Sequence, residues 1–160
     1  MNDPRHLHLN AFLMGVGHHE AAWRLPESDP FANTEVAHYQ QLARIAERGL
    51  LDSVFFADSP SLMTHPARRP AEALDPVVLL AAMSAVTERI GLIATASTTY
   101  DEPYNVARRF ASLDAISHGR AGWNVVTPAP GTPSRNYATT TTPAHPPRAP
   151  RAQDTHHGDT

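Results

Sequence analysis

The 160-residue sequence has no cysteine, which removes disulfides, thiolate nucleophiles and cysteine metal sites together. It has no dominant sign of charge either: a formal net charge of -3 and a pI near 6.3 give no electrostatic footprint for nucleic acid or an anionic membrane surface. Nor does any window approach the roughly 20 apolar residues of a membrane span. Asp3, Arg5, His6, His8, His18, His19, Glu20 and Arg24 interrupt the N-terminal region before an apolar run reaches the length of a signal-peptide core. The expectation is a cytoplasmic protein whose partners include neither nucleic acid nor membrane.

Two further absences concern organisation. After Val126 there is no Val, Ile, Leu, Met, Phe or Trp, and Pro128 to Thr160 holds nearly half of the prolines and the run Thr139 to Thr142. Such a segment cannot bury enough surface to offset its ordering entropy, so 128–160 is expected to be a disordered Pro/Thr/Ala-rich tail behind a folded region 1–127. No G-x-G-x-x-G follows the first apolar segment; Gly15-Val16-Gly17 leads into His18-His19, which argues against a dinucleotide-binding unit.

What is present alternates between strand and helix patterns. Leu7 to Gly15 reads as a strand closing on a glycine-containing loop. Thr34 to Gly49 reads as a helix with Thr34 as N-cap and Val36, Leu42, Ile45 and Ala46 on one stripe. Asp52 to Ala57 is a buried-type strand, and Asp75-Pro76 caps a helix continuing from Val77 to Val86. Ile90 to Thr95, Pro103 to Ser117 and Ala121 to Val126 complete a β-α-β-α-β-α-β order. Near-continuous apolar strands spaced by helices imply a parallel sheet, as a barrel or an open doubly wound sheet.

In parallel α/β folds ligands bind beyond the C-terminal ends of the strands. The polar residues there are His18 and His19, then Asp58 and Ser59, then Ser97 to Tyr100, then Asn124 and Thr127. Hydroxyls, an amide and one carboxylate suit the edge of a polar heterocycle, whereas no nucleophile, base and acid fall together, so a cofactor is expected to carry the chemistry. Each has a plainer reading: Asp58 as a turn former, Ser97 to Thr99 as loop hydrogen-bonders, Trp23 and Trp123 as packing residues, and Arg108-Arg109 as one solvated and one paired side chain. A buried Asn124 is harder to dismiss, because an unpaired amide costs roughly 1–3 kcal/mol. No metal site is expected: His6-Leu7-His8 lies at the wrong end of its strand for a barrel active site, and His18-His19-Glu20 lacks H-E-x-x-H spacing.

Seven strings in order carry a family resemblance: HHEAAWR (18–24), AERG (46–49), DSVFFAD (52–58), VTERIGLI (86–93), TASTTYDEPY (95–104), ARRFASLD (107–114) and GRAGWNVVT (119–127). The chain resembles luciferase-like flavin-dependent monooxygenases of the nitrilotriacetate monooxygenase, dibenzothiophene sulfone monooxygenase and pristinamycin synthase branch. The resemblance implies the first half of a (β/α)8 TIM-type barrel, and a monooxygenase using reduced FMN from a separate flavin reductase, O2 and a small organic substrate. It implies a homo-oligomer for the intact protein. It assigns Asp58, Thr95, Ser97, Asn124 and Thr127 to cofactor binding and His18, His19 and Trp23 to the substrate side, with no catalytic base identified. A deazaflavin-dependent oxidoreductase of the same superfamily and a non-catalytic half-barrel interaction module are the alternatives.

The resemblance fades after Thr127. Ser134-Arg135-Asn136-Tyr137 still matches, but Ala138-Thr139-Thr140-Thr141-Thr142-Pro143 is what GC-rich codons for Gly-Asp-Asp-Asp-His-Pro give when read one base later. A frameshift after Tyr137 is therefore expected, which resequencing the locus tests. About 250 residues make a complete barrel, so a truncated, inactive fragment with weak or no FMN binding is expected.

Overall fold

The computed structural model describes residues 7–19, 21–59 and 74–127. The expectations on His6, Glu20, the tail 128–160 and its reading frame after Tyr137 lie outside the described residues. Strands and helices alternate: β1 (Asn10–Phe12), α1 (Val36–Arg48), β2 (Ser53–Phe56), α2 (Pro76–Ser84), β3 (Gly91–Ser97), α3 (Pro103–Ser117) and β4 (Ala121–Val126), with one 3-10 turn at Ala22–Arg24 in the β1–α1 loop. The strands are all parallel, in the order β1-β2-β3-β4. The fold is α/β with a parallel sheet.

Local chemistry sets the boundaries. α1 starts at Val36 because the Glu35 carboxylate accepts the Ala37 N–H (3.2 Å); the expected cap, Thr34, instead donates its hydroxyl to Phe31 O (3.2 Å). Asp75 caps α2 by accepting the Val78 N–H (3.0 Å). That helix ends at Ser84, two residues short of the expected Val86, as Val86 N–H and the Thr87 hydroxyl both turn back onto Met83 O. β3 runs two residues beyond the expected Thr95, since Ala96 and Ser97 pair with Val125 and Val126. β1 is shorter than Leu7–Gly15 because only its centre pairs, with Ser53, Val54 and Phe55.

Side-chain alternation gives the sheet two faces. Val54, Phe56, Leu92, Ala94 and Ala96 are buried on the helix side, where the first four pack with Tyr39, Ala43 and Ala46 of α1, Leu79, Leu80 and Met83 of α2, and Leu113 of α3. A fully buried Leu80 or Leu92 contributes about 1.5–3 kcal/mol by leaving water. The opposite face carries successive rows set by the strand register: Asn10, Ser53 and Gly91; then Phe12, Phe55, Ile93 and Gly122; then Thr95 with Asn124; then Ser97 with Val126. The lower rows lock together, with the Ser53 hydroxyl donating to Asn10 Oδ1 (2.7 Å) and the Phe12 and Phe55 rings 5.0 Å apart.

Gly122 exists to admit Ile93, because a Cβ there would lie 2.9 Å from Ile93 Cγ1. Gly122→Ala is expected to destabilise by about 1 kcal/mol, the low end for an overpacked site since β4 pairs with one strand only among the described residues. Urea unfolding checks it; an unchanged midpoint would show that Ile93 simply rotates away.

At the N-terminal ends of the strands two side chains tie the connections. Glu47 Oε1 accepts the N–H groups of Glu88, Arg89 and Ile90 (2.9, 2.7 and 3.1 Å), fixing the turn into β3. Burial pushes its pKa up, but the three N–H donors and the Arg89 charge outweigh this, and the net shift is below the ordinary 4.5. A depressed carboxylate pKa contributes stability above the unfolded-state value that is lost as pH falls through the folded-state value. The stability gap between the parent and Glu47→Gln is therefore expected to be full at neutral pH and to close below about pH 4.5; a gap constant with pH would refute the role of the charge. Arg120 makes the second tie, clamping the ends of α2 and α3.

Candidate functional site

The two polar residues in the third row of the open face meet directly. Asn124 Nδ2 donates to Thr95 Oγ1 (3.0 Å), and the Thr95 hydroxyl donates onward to Phe56 O (2.9 Å). Thr95 is 4% exposed and Asn124 half-buried, so the amide expected to need a partner has one. With Nδ2 committed to Thr95, Asn124 Oδ1 is the acceptor left for a ligand. Ser97, buried one row higher, accepts the Thr99 N–H on its hydroxyl (3.1 Å). Thr98 and Thr99 are buried beside it, and Thr99 Oγ1 has no hydrogen-bond partner among the described residues.

Asp58 follows β2, two residues past Phe56. Its carboxyl retains an exposed surface, yet enough protein crowds it that partial desolvation raises its pKa above the ordinary 3.8. The Ser59 N–H opposes this, the Asp75 and Asp101 charges reinforce it, and Arg109 opposes it. Arg109 Nη2 lies 2.9 Å from Asp101 Oδ1, both side chains about one-third exposed, while Arg108 is solvated. Thr127 lies exposed just beyond β4.

The β1–α1 loop holds the other candidates. His18 donates or accepts at Nε2 against Phe12 O, and a carbonyl only accepts, so the imidazole N–H is the donor (3.1 Å); its ring stands edge-on to Phe12 at 4.7 Å. His19 Nδ1 accepts the Ala21 N–H (3.1 Å), and the Arg24 guanidinium lies 5.0 Å from the Trp23 ring centroid. Phe12 thus links His18 to Phe55, next to the Phe56 carbonyl that receives the Thr95 hydroxyl. Trp123, on the helix side, packs against Phe110 at 5.5 Å and donates Nε1–H to Ala96 O (3.2 Å). At the far end of the sheet, His8 Nδ1 sits 3.1 Å from Asp52. Among the described residues no group of three metal-ligating side chains converges, and no helix is long and apolar enough to cross a membrane. Thr99 was among the strand-end candidates, whereas the Asp101–Arg109 pair carried no spacing signal that would have placed its charges near Asp58.

A family model described as luciferase-like monooxygenase matches residues 13–156. The N-acetyl-S-(2-succino)cysteine monooxygenase of Bacillus subtilis is 46% identical over 134 residues, 84% of this chain and 30% of that protein. Nitrilotriacetate monooxygenase component A of Aminobacter aminovorans is 42% identical over 149 residues, 86% of this chain and 33% of that protein. A crystal structure of riboflavin lyase with modified FMN and its substrate riboflavin superposes with a TM-score of 0.83 at 31% identity, covering 95% of this chain and 36% of the other. The chain spans about a third of the length of the relatives it matches. It belongs to the luciferase-like monooxygenase family.

Proposed function

We propose that this chain supplies the β1–β4 side of the flavin site in a (β/α)8-barrel monooxygenase that takes reduced FMN from a separate flavin reductase and acts with O2 on a small organic substrate. The observation that carries the reading is the Thr95–Asn124 pair: two hydrogen-bonded polar side chains in the row directly above Phe12, Phe55, Ile93 and Gly122, toward the C-terminal ends of the strands. A relative of the same fold that holds modified FMN supports the cofactor, and a relative named as component A of a monooxygenase supports a separate reductase.

The residues fit a flavin. Asn124 Oδ1, the Thr99 hydroxyl, Ser97 and Thr127 offer hydrogen bonds to a heterocycle, and Asp58 adds a carboxylate already partly desolvated by the protein around it. When bound, reduced FMN supplies the electrons that activate O2. The protein's contribution is to hold that ring by its polar edge, to exclude water with the Phe12–Phe55 row, and to present His18, His19 and Trp23 toward substrate.

Anaerobic titration of the purified chain with reduced FMN tests this. Binding is expected to be weaker than micromolar, because barrel phosphate sites commonly use loops after the seventh and eighth strands, and Asp58→Ala is expected to weaken it at least about tenfold further, a loss of about 1.4 kcal/mol. Equal binding by parent and Asp58→Ala would remove Asp58 from the site, and a deazaflavin binding where FMN does not would favour the deazaflavin-dependent class.

A further inference from the structure

We propose that His38 and Tyr39 are positioning residues that clamp the neck of the β1–α1 loop and thereby set where His18, His19 and Trp23 stand. The inference rests on the reading above that this loop faces substrate, and it names what fixes the loop there.

Adjacent residues in the first turn of α1 grip both ends of the same loop. The His38 imidazole donates Nε2–H to Gly15 O (3.1 Å), at the loop's start. The Tyr39 hydroxyl donates to Asn33 O (3.3 Å), just before the helix begins. Tyr39 cannot swing away to release it: the residue is 3% exposed, and its ring is edge-on to Phe56 of β2 at 5.5 Å and to His38 at 5.6 Å.

The neck is also closed sterically. A Cβ on Gly15 would run into Asn33 Oδ1, approach the Tyr39 hydroxyl to 2.6 Å and Asn33 Cα to 2.8 Å, so Gly15, Asn33 and Tyr39 are in mutual contact with no room for a side chain. Past the neck the loop has its own internal ties. Gly17 turns it at a φ of +93°, a conformation open to glycine at no steric cost. His18 bonds Phe12 O, and the Ser28 hydroxyl donates to Ala22 O (2.7 Å) across the turn that holds Trp23. A loop tied within itself and clamped at its ends moves as a unit when the clamp is lost. The side chains that would meet substrate are then displaced together, while the Leu80-centred core is untouched.

The test uses fluorine NMR of the full chain labelled with fluorotryptophan, which gives one resonance for each of its two tryptophans, assigned with Trp123→Phe. Trp23 reports the loop; Trp123, held by Ala96 O and Phe110, reports the sheet and α3. Tyr39→Phe keeps the buried ring and removes only the hydroxyl. It and His38→Leu are each expected to shift or broaden the Trp23 resonance and leave that of Trp123 in place, with His38→Gln, which restores a donor, returning the parent signal. A Trp23 resonance unmoved in both variants would overturn the proposal, as would equal movement of both resonances or failure of His38→Gln to restore the signal where His38→Leu had changed it. The measurement needs neither flavin nor substrate, so its failure leaves the Asp58 assignment standing, and a failed FMN titration leaves the clamp measurable.

Discussion

Arg120→Met is expected to destabilise the chain by about 3–4 kcal/mol, the largest loss from any single side chain outside the apolar core. The guanidinium has five N–H donors, and five contacts are made: Nε to Ser117 O (2.7 Å), Nη1 to Thr87 Oγ1 (3.0 Å) and Ile90 O (2.9 Å), and Nη2 to Ser84 O (3.3 Å) and Thr87 O (3.1 Å). Ser84 and Ser117 are the last residues of α2 and α3, where unpaired carbonyls carry the negative end of the helix dipole. One cation therefore joins two helix ends and the turn into β3. A charge-assisted hydrogen bond is worth about 1.5–3 kcal/mol in isolation, but these five share one group and are half-buried, so water recovers part of the loss. Arg120→Lys is expected to fall between, having three donors and no planar fork. Urea unfolding with an unchanged slope and a lowered midpoint is the readout. A loss under about 1 kcal/mol would mean that solvent satisfies the carbonyls as well as Arg120 does.

Much of the architecture was readable from residue order because the signals were local. Pro103 to Ser117 and Ala121 to Val126 match the structure at both ends: proline starts the helix, and His118 and Gly119, both at positive φ, stop it. Boundaries that depend on pairing or on a choice between two polar caps were not readable. Thr34 and Glu35 can each cap α1, and only the turn that engages Thr34 with Phe31 O leaves the role to Glu35. β3 reaches Ser97 because β4 lies alongside it, a contact between residues far apart in sequence.

The candidate site divides in the same way. That Asp58 and Ser97 fall at strand ends and Asn124 inside the last strand follows from local pattern plus the rule for parallel sheets. That Asn124 meets Thr95 follows from register, which depends on both strands at once. Arg120, Glu47 and the Gly15–Tyr39 contact escaped because each joins distant segments through one side chain. A charged residue within a string such as GRAGWNVVT looks like surface until the carbonyls around it are known. The two ends of the sheet differ: its N-terminal side is tied by Glu47 Oε1 and by all five Arg120 N–H groups, whereas among the described residues its C-terminal side keeps a Thr99 hydroxyl without a partner and an Asn124 oxygen not engaged by the Thr95 bond.

That contrast yields the second large effect. Thr95→Val keeps the shape and burial of residue 95 but leaves Phe56 O and Asn124 Nδ2 without the partner each now has. Stranding the carbonyl of buried Phe56 and a half-buried amide is expected to cost about 2 kcal/mol of stability, toward the middle of the range for such losses. A consequence beyond stability is also expected. With its acceptor gone, the Asn124 amide is free to rotate and present Nδ2 where Oδ1 stood, so a ligand donor that met the oxygen would meet an N–H instead. Reduced FMN affinity is therefore expected to fall about tenfold relative to the parent, about 1.4 kcal/mol, and Thr95→Ser, which retains the hydroxyl, to restore most of it. Anaerobic flavin titration and urea unfolding on the same three proteins separate the two effects. If Thr95→Val loses stability while binding flavin as the parent does, Asn124 is a structural amide and the flavin edge is met by Asp58, Ser97 and Thr99 alone. If Thr95→Ser fails to recover affinity that Thr95→Val has lost, the methyl packing at residue 95, and not its hydroxyl, is what the site requires.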